Sequence, residues 1–376
     1  VFDGDYKDLK ENFKILLRIG VYQIKYMDSI PDYAAVTTSV QLAKKIHKKL
    51  GGLTNAILRT IIKKDNKLII NKKSSIERIS DYTSHPEWLL NKWIRDLNYE
   101  ETISLTEWNN ANPSIWFRVN TLDYSIAKFE NYLSKNNIEY RQFDSIPLFF
   151  TTSKNQELIS SDIFKEGKIT VQDPAAGLVV KLLNPNKDDK IIDVCSAPGG
   201  KTSFMAQLMK NTGEILALDS DKKRLDRLNN TLSRLNITNT LIEHNDILDD
   251  NLIMTDKMLL DVPCSGTGVM AKRADLRWRR TIDEILEMHL LQRKILWTAS
   301  KYINKNGILV YSTCSIEPEE NDMVIDAFLK SHSNFTIEPA DNYIDNKFVN
   351  NDGRMYTFPH KDGVDGGYAV RLKNNV

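Results

Sequence analysis

Two cysteines in the second half of the chain have sequence neighbours typical of a reactive site. Cys264 lies in Asp-Val-Pro-Cys-Ser-Gly (261–266) and Cys314 in Tyr-Ser-Thr-Cys-Ser (311–315), and each follows a short apolar run that predicts a strand. Turn residues on both sides argue against the commoner role of a cysteine as a small packing residue, which suits Cys195 better. A thiolate so placed can add to an electrophilic carbon, and a second thiol nearby can assist release. We therefore expect covalent nucleophilic catalysis from this pair.

A loop of small residues, 193–202, stands between a predicted strand and a predicted helix. Its sequence is Asp-Val-Cys-Ser-Ala-Pro-Gly-Gly-Lys-Thr, in which Gly199 and Gly200 let backbone amides come close to a ligand. A phosphate-binding P-loop would need glycine where Cys195 stands, and the dinucleotide spacing G-x-G-x-x-G is absent. The loop therefore predicts a site for a polar cofactor that is not held by phosphates.

Acidic residues end three successive predicted strands: Asp219, Asp246 and Asp261. We expect Asp219 to accept hydrogen bonds from ribose hydroxyls and Asp246 to meet an adenine, whereas Asp261 would face the methionyl end of the cofactor or the reacting base. Each alone could be a helix cap or turn residue, but together they favour a nucleoside cofactor such as S-adenosylmethionine. A methyl donor would account for the two reactive cysteines, because C5 of cytosine becomes nucleophilic, and can be methylated, once a thiolate adds to C6.

The composition is that of a multidomain globular protein. The chain has 376 residues, of which 41% are hydrophobic and 27% charged, with a net charge of +1, so a disordered or fibrous protein is excluded and bulk charge does not indicate a nucleic-acid partner. Its three cysteines lack the paired spacing of a zinc site or a disulfide framework, so we expect reduced thiols and no metal. No apolar run reaches the length of a signal or a membrane span. We expect a soluble, cytoplasmic monomer.

Three regions of the chain differ in pattern. Residues 1–75 show helical spacing, with Gly51-Gly52 predicted to end a helix, and indicate a small helical bundle. Residues 76–165 contain four tryptophans and short strands and predict an α+β module, with the tryptophans in its core or, alternatively, on a base-stacking face. Residues 166–376 alternate apolar runs with helical segments, which predicts an α/β Rossmann-like domain with a doubly wound parallel sheet. A ligand then belongs at the carboxyl ends of the strands.

These motifs resemble those of bacterial 16S ribosomal RNA cytosine-5 methyltransferases of the Fmu (Sun, RsmB) type. Residues 193–202, 261–268 and 312–321 look like the cofactor motif and the two cysteine motifs of that family. Residues 22–59 look like the end of its NusB-like RNA-binding domain, and residues 84–88 and 118–120 look like its linking module. The resemblance implies transfer of a methyl group from S-adenosylmethionine to C5 of a cytidine in 16S ribosomal RNA.

The resemblance also implies a role for each site residue. Cys314 would be the nucleophile, Cys264 would aid release, and Asp261 would lie beside the base. The residues alone leave the two cysteines interchangeable, since DNA cytosine-5 methyltransferases use a Pro-Cys cysteine. The implied cofactor contacts are Cys195, Ser196, Ala197, Pro198, Gly199, Gly200, Lys201, Asp219, Arg224, Asp246 and Asp261, and the implied RNA contacts are Lys272, Arg273, Arg277 and Arg280. A surface salt bridge is the alternative for Arg224, and a solvated basic segment for the RNA contacts.

Two departures from the family pattern and several rival functions accompany this interpretation. The NusB-like region looks truncated, which is expected to weaken RNA binding, and Asp365-Gly-Gly-Tyr368 stands where the family has aromatics, which is expected to alter packing beside the active site. Transfer RNA is the rival substrate. A non-catalytic RNA-binding or ribosome assembly factor would have damaged cysteine motifs, and a nucleotide-dependent oxidoreductase would need the missing dinucleotide loop.

Overall fold

The computed structural model describes residues 6–63 and 70–376, and the chain divides into two compact units, Val1–Ser74 and Ser75–Val376. Residues 1–5 and 64–69 lie outside the described residues, and with them part of the predicted domain 1–75. Within the described ranges, none of the helices is both long and apolar enough to cross a membrane.

The first unit is helical, as the sequence predicts. Its helices are α1 (Glu11–Tyr26), α2 (Asp32–Ile46) and α3 (Leu50–Lys63), and they pack around apolar side chains that include Phe13 and Ile57. The prediction for the glycine pair is wrong in detail, because α2 ends at Ile46 and Gly51-Gly52 lies in the first turn of α3. A side chain at Gly51 would meet Lys44 of α2 at 2.7 Å, so the glycine permits close packing of the two helices.

The second unit begins with helices and a small antiparallel sheet. In chain order these elements are α4 (Ile76–Thr83), α5 (Glu87–Asp96), α6 (Tyr99–Asn110), β1 (Trp116–Val119), α7 (Ile126–Lys135), β2 (Arg141–Gln142), β3 (Phe149–Thr151), α8 (Asn155–Ser160), α9 (Asp162–Lys165) and β4 (Ile169–Val171). The strand order is β2-β3-β1-β4. The small sheet therefore extends past the expected boundary at residue 165. Trp93 and Trp116 are buried, as expected for core residues, whereas Trp88 and Trp108 are half-buried.

The remainder of the second unit is the larger α/β domain. Its elements are α10 (Pro174–Leu183), β5 (Lys190–Val194), α11 (Gly200–Leu208), β6 (Glu214–Asp219), α12 (Lys222–Arg234), β7 (Thr240–His244), β8 (Thr255–Asp261), α13 (Leu276–Arg279), α14 (Ile282–Ser300), β9 (Ile303–Thr313), α15 (Asp322–Ser331), β10 (Phe335–Ile337), β11 (Met355–Thr357), α16 (Pro359–Asp362) and β12 (Gly367–Asn374). The predicted fold class is confirmed. Successive residues of β5 pack on opposite faces of the sheet. Ile191 packs against α10 and α11, and Ile192 packs against α14 and α15, so helices cover both faces.

The order of strands in this sheet brings the predicted site together. The order is β10-β12-β9-β8-β5-β6-β7, with β11 also paired to β12. The pairs among β9, β8, β5, β6 and β7 are parallel, whereas β10, β11 and β12 pair antiparallel, so the sheet is mixed and not wholly parallel. Because β8 lies between β5 and β9, the loops that follow these three strands meet at one edge of the sheet.

Candidate active site

The two cysteines of the predicted pair face each other across adjacent loops. Asp261 at the end of β8 pairs with Ser312 in β9, which sets the two loops level. Cys264 Sγ and Cys314 Sγ lie 3.2 Å apart as free thiols, and Cys314 is exposed whereas Cys264 is half-buried. Cys314 is therefore the more accessible of the two to a substrate, and Cys264 lies within hydrogen-bond distance of its sulfur.

The electrostatics differentiate the two sulfurs. The hydrogen bond to Cys314, followed by burial, raises the pKa of Cys264 well above its ordinary value, so Cys264 keeps its proton and can donate it to Cys314. Burial lowers the pKa of Lys201, but the charges of Asp261 and then of Cys314 outweigh it, and the pKa of Lys201 is raised. Lys201 therefore keeps its ammonium, and Cys264 is the thiol that donates to Cys314.

The side chain of Glu320 forms hydrogen bonds with both cysteine loops. Its buried carboxylate accepts hydrogen bonds from Ser265 N at 2.8 Å and from the hydroxyl of Ser265 on one loop, and from the hydroxyl of Ser315 on the other. Gln292 Nε2 of α14 donates to it at 2.9 Å. The spacing of the cysteines thus depends on a buried carboxylate, which the sequence analysis did not single out although it lies in the motif 312–321.

A pair of glycines lets the end of the chain reach the Cys264 loop. Gly366 N donates to Gly268 O at 2.8 Å, and a Cβ on Gly366 would lie 2.8 Å from Gly268 Cα, so neither position has room for a side chain. The departure at 365–368 therefore does lie beside the active site, as expected. Burial raises the pKa of the adjacent Asp365 to about 7, and this carboxyl pairs with Lys272.

The loop 195–199 turns sharply between β5 and α11. Cys195 has φ 61° and Gly199 has φ 99°, and a Cβ on Gly199 would lie 2.7 Å from Leu228 Cδ1. Ser196 N donates to Leu218 O at 2.9 Å, which ties the loop to β6. Burial, and then the charge of Asp219, raise the pKa of Cys195 to about 12, which fits a packing cysteine and not a nucleophile.

A cavity of about 110 Å³ opens beside this loop. Its lining residues are Gln172, Ala176, Asp193, Cys195, Ser196, Ala197, Pro198, Gly200, Lys201 and Asp261. Two of its lining residues have a buried polar atom without a hydrogen-bond partner, Gln172 Nε2 and Asp193 Oδ1. Atoms of this kind that line a cavity can bond to a ligand, so the residues present fit a polar group bound here, as the expected cofactor would require.

The strand-end acids occupy different positions. Asp219 is buried, and its carboxylate accepts hydrogen bonds from Ala197 N at 3.2 Å and from Asp221 N at 3.0 Å. Arg224 lies 3.5 Å from it. Because a carboxylate accepts about four hydrogen bonds, Asp219 can still accept one from a ligand. Arg224 of α12 also donates to Ala197 O at 2.6 Å, so its side chain contacts both the loop 195–199 and Asp219. Asp246 caps a short 3-10 helix through Leu248 N at 3.0 Å.

Asp261 joins the cofactor loop to the cysteine loops. It pairs with Lys201 at 2.6 Å and accepts from the Ser312 hydroxyl at 2.9 Å. Since Asp261 lines the cavity and ends the strand before Cys264, it lies between the two parts of the site.

The four expected RNA contacts have unequal surroundings. Lys272 pairs with Asp173 at 2.7 Å, Arg280 donates to Ser265 O at 2.8 Å, and Arg273 is exposed. Arg277 is buried, and its guanidinium donates to the carbonyl of Asn109 and the side chain of Asn110. A phosphate contact from Arg277 does not fit this placement, because its donors face α6.

A cluster of acidic side chains lies near the Cys314 loop. Carboxylate oxygens of Asp96, Glu317 and Glu319 lie close enough to hold a metal ion. Lys92 Nζ is within 2.7, 3.0 and 2.8 Å of these three groups, so an ammonium already occupies the place a metal would take. This cluster therefore joins α5 to the loop after Cys314.

The chain is similar to known protein families over most of its length. Residues 180–373 match the family model for the 16S rRNA methyltransferase RsmB/F, residues 2–63 match the NusB family, and residues 85–149 match the ferredoxin-like domain of RsmF/B-like methyltransferases.

Curated relatives and solved structures agree with these matches. The probable ribosomal RNA small subunit methyltransferase B of Bacillus subtilis (strain 168) is 30% identical over 370 residues, covering 95% of this chain and 82% of the relative. Ribosomal RNA small subunit methyltransferase B of Photorhabdus laumondii is 33% identical, covering 97% and 84%. The crystal structure of PH0851 has a TM-score of 0.81 at 28% identity, covering 97% of this chain and 83% of that one. A methyltransferase homolog from Pyrococcus horikoshii has a TM-score of 0.69 at 26% identity, covering 80% and 99%.

Proposed function

Because the chain belongs to the RsmB/F family of 16S rRNA methyltransferases, we propose that it methylates C5 of a cytidine in 16S ribosomal RNA through a covalent cysteine adduct. The observation that carries the proposal is the pair of thiols 3.2 Å apart beside the cofactor loop. S-adenosylmethionine, held by residues 195–201 together with Asp219, Arg224, Asp246 and Asp261, would supply the methyl group from its sulfonium.

Cys314 is the nucleophile in this proposal. Its thiolate forms a bond to C6 of the cytosine, which makes C5 a carbon nucleophile that accepts the methyl group. A base then takes the proton from C5, and the C6–S bond breaks to return the thiolate. Attack by the exposed sulfur is supported by the thiol donor Cys264 and by the ammonium of Lys201.

Cys264 assists the release step. The hydrogen bond with Cys314, burial and the charge of Glu320 all raise the pKa of Cys264, so Cys264 remains a thiol. Its S–H can then donate a hydrogen bond to the sulfur of Cys314 as the C6–S bond breaks and the negative charge returns to that sulfur. Asp261, between the cavity and the cysteines, is proposed to contact the base, and Lys272, Arg273 and Arg280 are proposed to lie along the RNA phosphates.

The test is a methylation assay with two RNA substrates. The protein is incubated with methyl-labelled S-adenosylmethionine and either unmodified small-subunit ribosomal RNA or transfer RNA, and the nucleosides are analysed. We expect 5-methylcytidine in the ribosomal RNA alone. Label in transfer RNA would keep the chemistry and change the substrate, whereas label on another atom or base, or none, would overturn the proposal.

A further inference from the structure

Trp278 is the most exposed of the six tryptophans, all of which lie in the described part of the chain. It is 62% exposed, whereas Trp93 and Trp116 are buried and the other three are half-buried. One exposed apolar side chain is ordinary on a protein surface. Trp278 differs from the ordinary case in how its backbone is held and in the charges around it.

The backbone on both sides of Trp278 is anchored to other parts of the second unit. Arg277, directly before it in α13, is buried, and its guanidinium donates to a backbone carbonyl near the end of α6. Arg280, two residues after it, donates to Ser265 O at 2.8 Å. A tryptophan has few rotatable bonds, so an indole on a fixed backbone loses little conformational freedom when a flat group binds its face.

The helix that carries Trp278 lies against the loop that carries Cys264. A Cβ placed on Gly266 would lie 3.2 Å from Leu276 Cδ1, so the helix and the loop are in contact. Leu276 is two residues before Trp278, and Gly266 is two residues after Cys264. Helix α13 therefore places Trp278 next to the reactive loop.

The residues around Trp278 carry an excess of positive charge. The range 272–280 contains five lysines and arginines but one acid, Asp275. Arg273 is exposed, and so is Arg279, whose guanidinium lies 3.1 Å from Asp275. Proteins that bind single-stranded nucleic acid combine cations for the phosphates with aromatic rings on which bases stack. Both kinds of side chain are present on and beside α13.

The proposed chemistry creates a need for such a ring. A cytidine whose C5 is to be methylated has to leave its base stack, and unstacking costs free energy. The base beside it then loses a neighbour. An indole next to the site can take the place of that neighbour, and it does so for any base, because every base has a π face.

We propose that Trp278 stacks on an unpaired RNA base beside the target cytidine and so holds the strand while the cytidine reaches Cys314. This inference rests on the proposed function. It makes α13 a substrate-binding element that contributes affinity without selecting the base on which it stacks.

The first test measures the Kd of a fragment of small-subunit ribosomal RNA that the wild-type protein methylates, at several salt concentrations. Trp278→Ala should bind about tenfold more weakly, the size of one lost stacking contact. The slope of log Kd against log salt should not change, because no phosphate contact is lost, whereas Arg273→Gln should lower that slope by about 0.7. Urea denaturation checks that the variants fold, which we expect since both side chains are exposed.

Two further variants show whether the ring itself is needed. Trp278→Phe keeps an aromatic face and should keep most of the affinity. Ile282→Ala is the matched control, because it removes another exposed apolar side chain four residues away, and its Kd should equal that of the wild-type protein.

A change in the RNA provides the complementary test. Replacing the base beside the target cytidine by an abasic site should weaken binding to the wild-type protein by a factor similar to that of Trp278→Ala. Trp278→Ala itself should bind the two RNAs equally well. RNA should also quench the fluorescence of the wild-type protein more than that of Trp278→Phe.

The outcomes separate this inference from the proposed function. An unchanged Kd for Trp278→Ala overturns the inference and leaves the ring to a protein partner, while the methyltransferase proposal stands. A loss of the same size in Trp278→Phe or Ile282→Ala also overturns it, since the effect would not depend on an aromatic face. A lower salt slope in Trp278→Ala would do the same, because the lost contact would be ionic. If the wild-type protein methylates no RNA, the proposed function itself fails.

Discussion

Replacing Glu320 by alanine should uncouple the two cysteine loops while leaving both cysteines in place. After the change, the hydroxyls of Ser265 and Ser315, 3.2 Å apart, can bond each other, and Gln292 keeps its bond to Pro263 O at 2.8 Å. Ser265 N, however, loses its acceptor. The second N–H of Gln292 Nε2 loses its acceptor as well. Each buried donor without a partner costs roughly 1–3 kcal/mol, and the space left by the side chain adds about 1 kcal/mol or more. We expect the free energy of unfolding to fall by about 3 kcal/mol or more.

The loss of rate should exceed what the loss of stability explains. Misplacing a reacting group by about 1 Å costs on the order of 100-fold, and the loops that hold Cys264 and Cys314 lose their shared anchor. Urea denaturation measures the stability, and single-turnover methylation, at a temperature where the variant is folded, measures the rate. Glu319→Gln is the control, because Glu319 lies in the loop after Cys314 but its carboxylate pairs with Lys92 of α5 and makes no bond to Ser265 or Ser315.

A Glu320→Ala variant that is folded in the assay, but slower than its loss of stability explains, would support the positioning role. A destabilised variant that transfers methyl groups at the wild-type rate would refute it, because Glu320 would then be a core residue only. Equal loss of rate in Glu319→Gln would also refute it, since the effect would not depend on contact with the cysteine loops.

Three further predictions concern the cysteines and two buried titratable groups. Cys264→Ala should accumulate RNA covalently bound to the protein, whereas Cys314→Ala should form none; denaturing gels measure both, and bound RNA on Cys314→Ala would reverse the two roles. Burial, followed by the charge of Arg277, lowers the pKa of His85 from 6.5 to about 4. The unfolded chain therefore binds a proton at His85 before the folded protein does, and the free energy of unfolding should decrease as the pH falls from 6.5 towards 4. The loss should be roughly 3 kcal/mol in urea titrations and smaller in His85→Gln, and equal acid sensitivity of the two proteins would contradict this origin. Burial raises the pKa of Asp193, which lines the cavity, to about 7. The negative charge that Asp193 gains as the pH rises through 7 should make the positively charged S-adenosylmethionine bind more tightly; calorimetry showing the same slope in Asp193→Asn would exclude this cause.

The sequence was sufficient for the elements that carry the site. Strands β5 to β9 are short apolar runs bounded by turn residues, so a parallel sheet could be predicted from them. Their full order could not, because the chain passes from β7 at the edge of the sheet back to β8 beside β5. The apposition of Cys264 and Cys314 was expected because both follow adjacent strands of one sheet. Their 3.2 Å separation was not, since it depends on the side chain of Glu320.

What the sequence did not reveal depends on contacts between distant residues. Arg277 stands in a run of arginines that looks solvated, and only the position of α6 buries it. The strand β12 inserts between β9 and β10, a long-range pairing that no local pattern specifies. Arg118 lies in β1 and Gln172 directly follows β4, so the hydrogen bond between them forms only when the small sheet is folded.

The buried cations of the second unit limit how such a chain can be recombined. Arg118, Lys92 and Arg277 belong either to the helices and small sheet or to the α/β domain, and each finds partners in the other. A genetic exchange that replaced the α/β domain alone would remove Arg277 and would take away the partners that Arg118 and Lys92 have in that domain; a buried charge that loses its partners costs several kcal/mol. We therefore expect the two parts to be inherited together. A chimaera that folds should join its two parent sequences near residue 75 and not near residue 165.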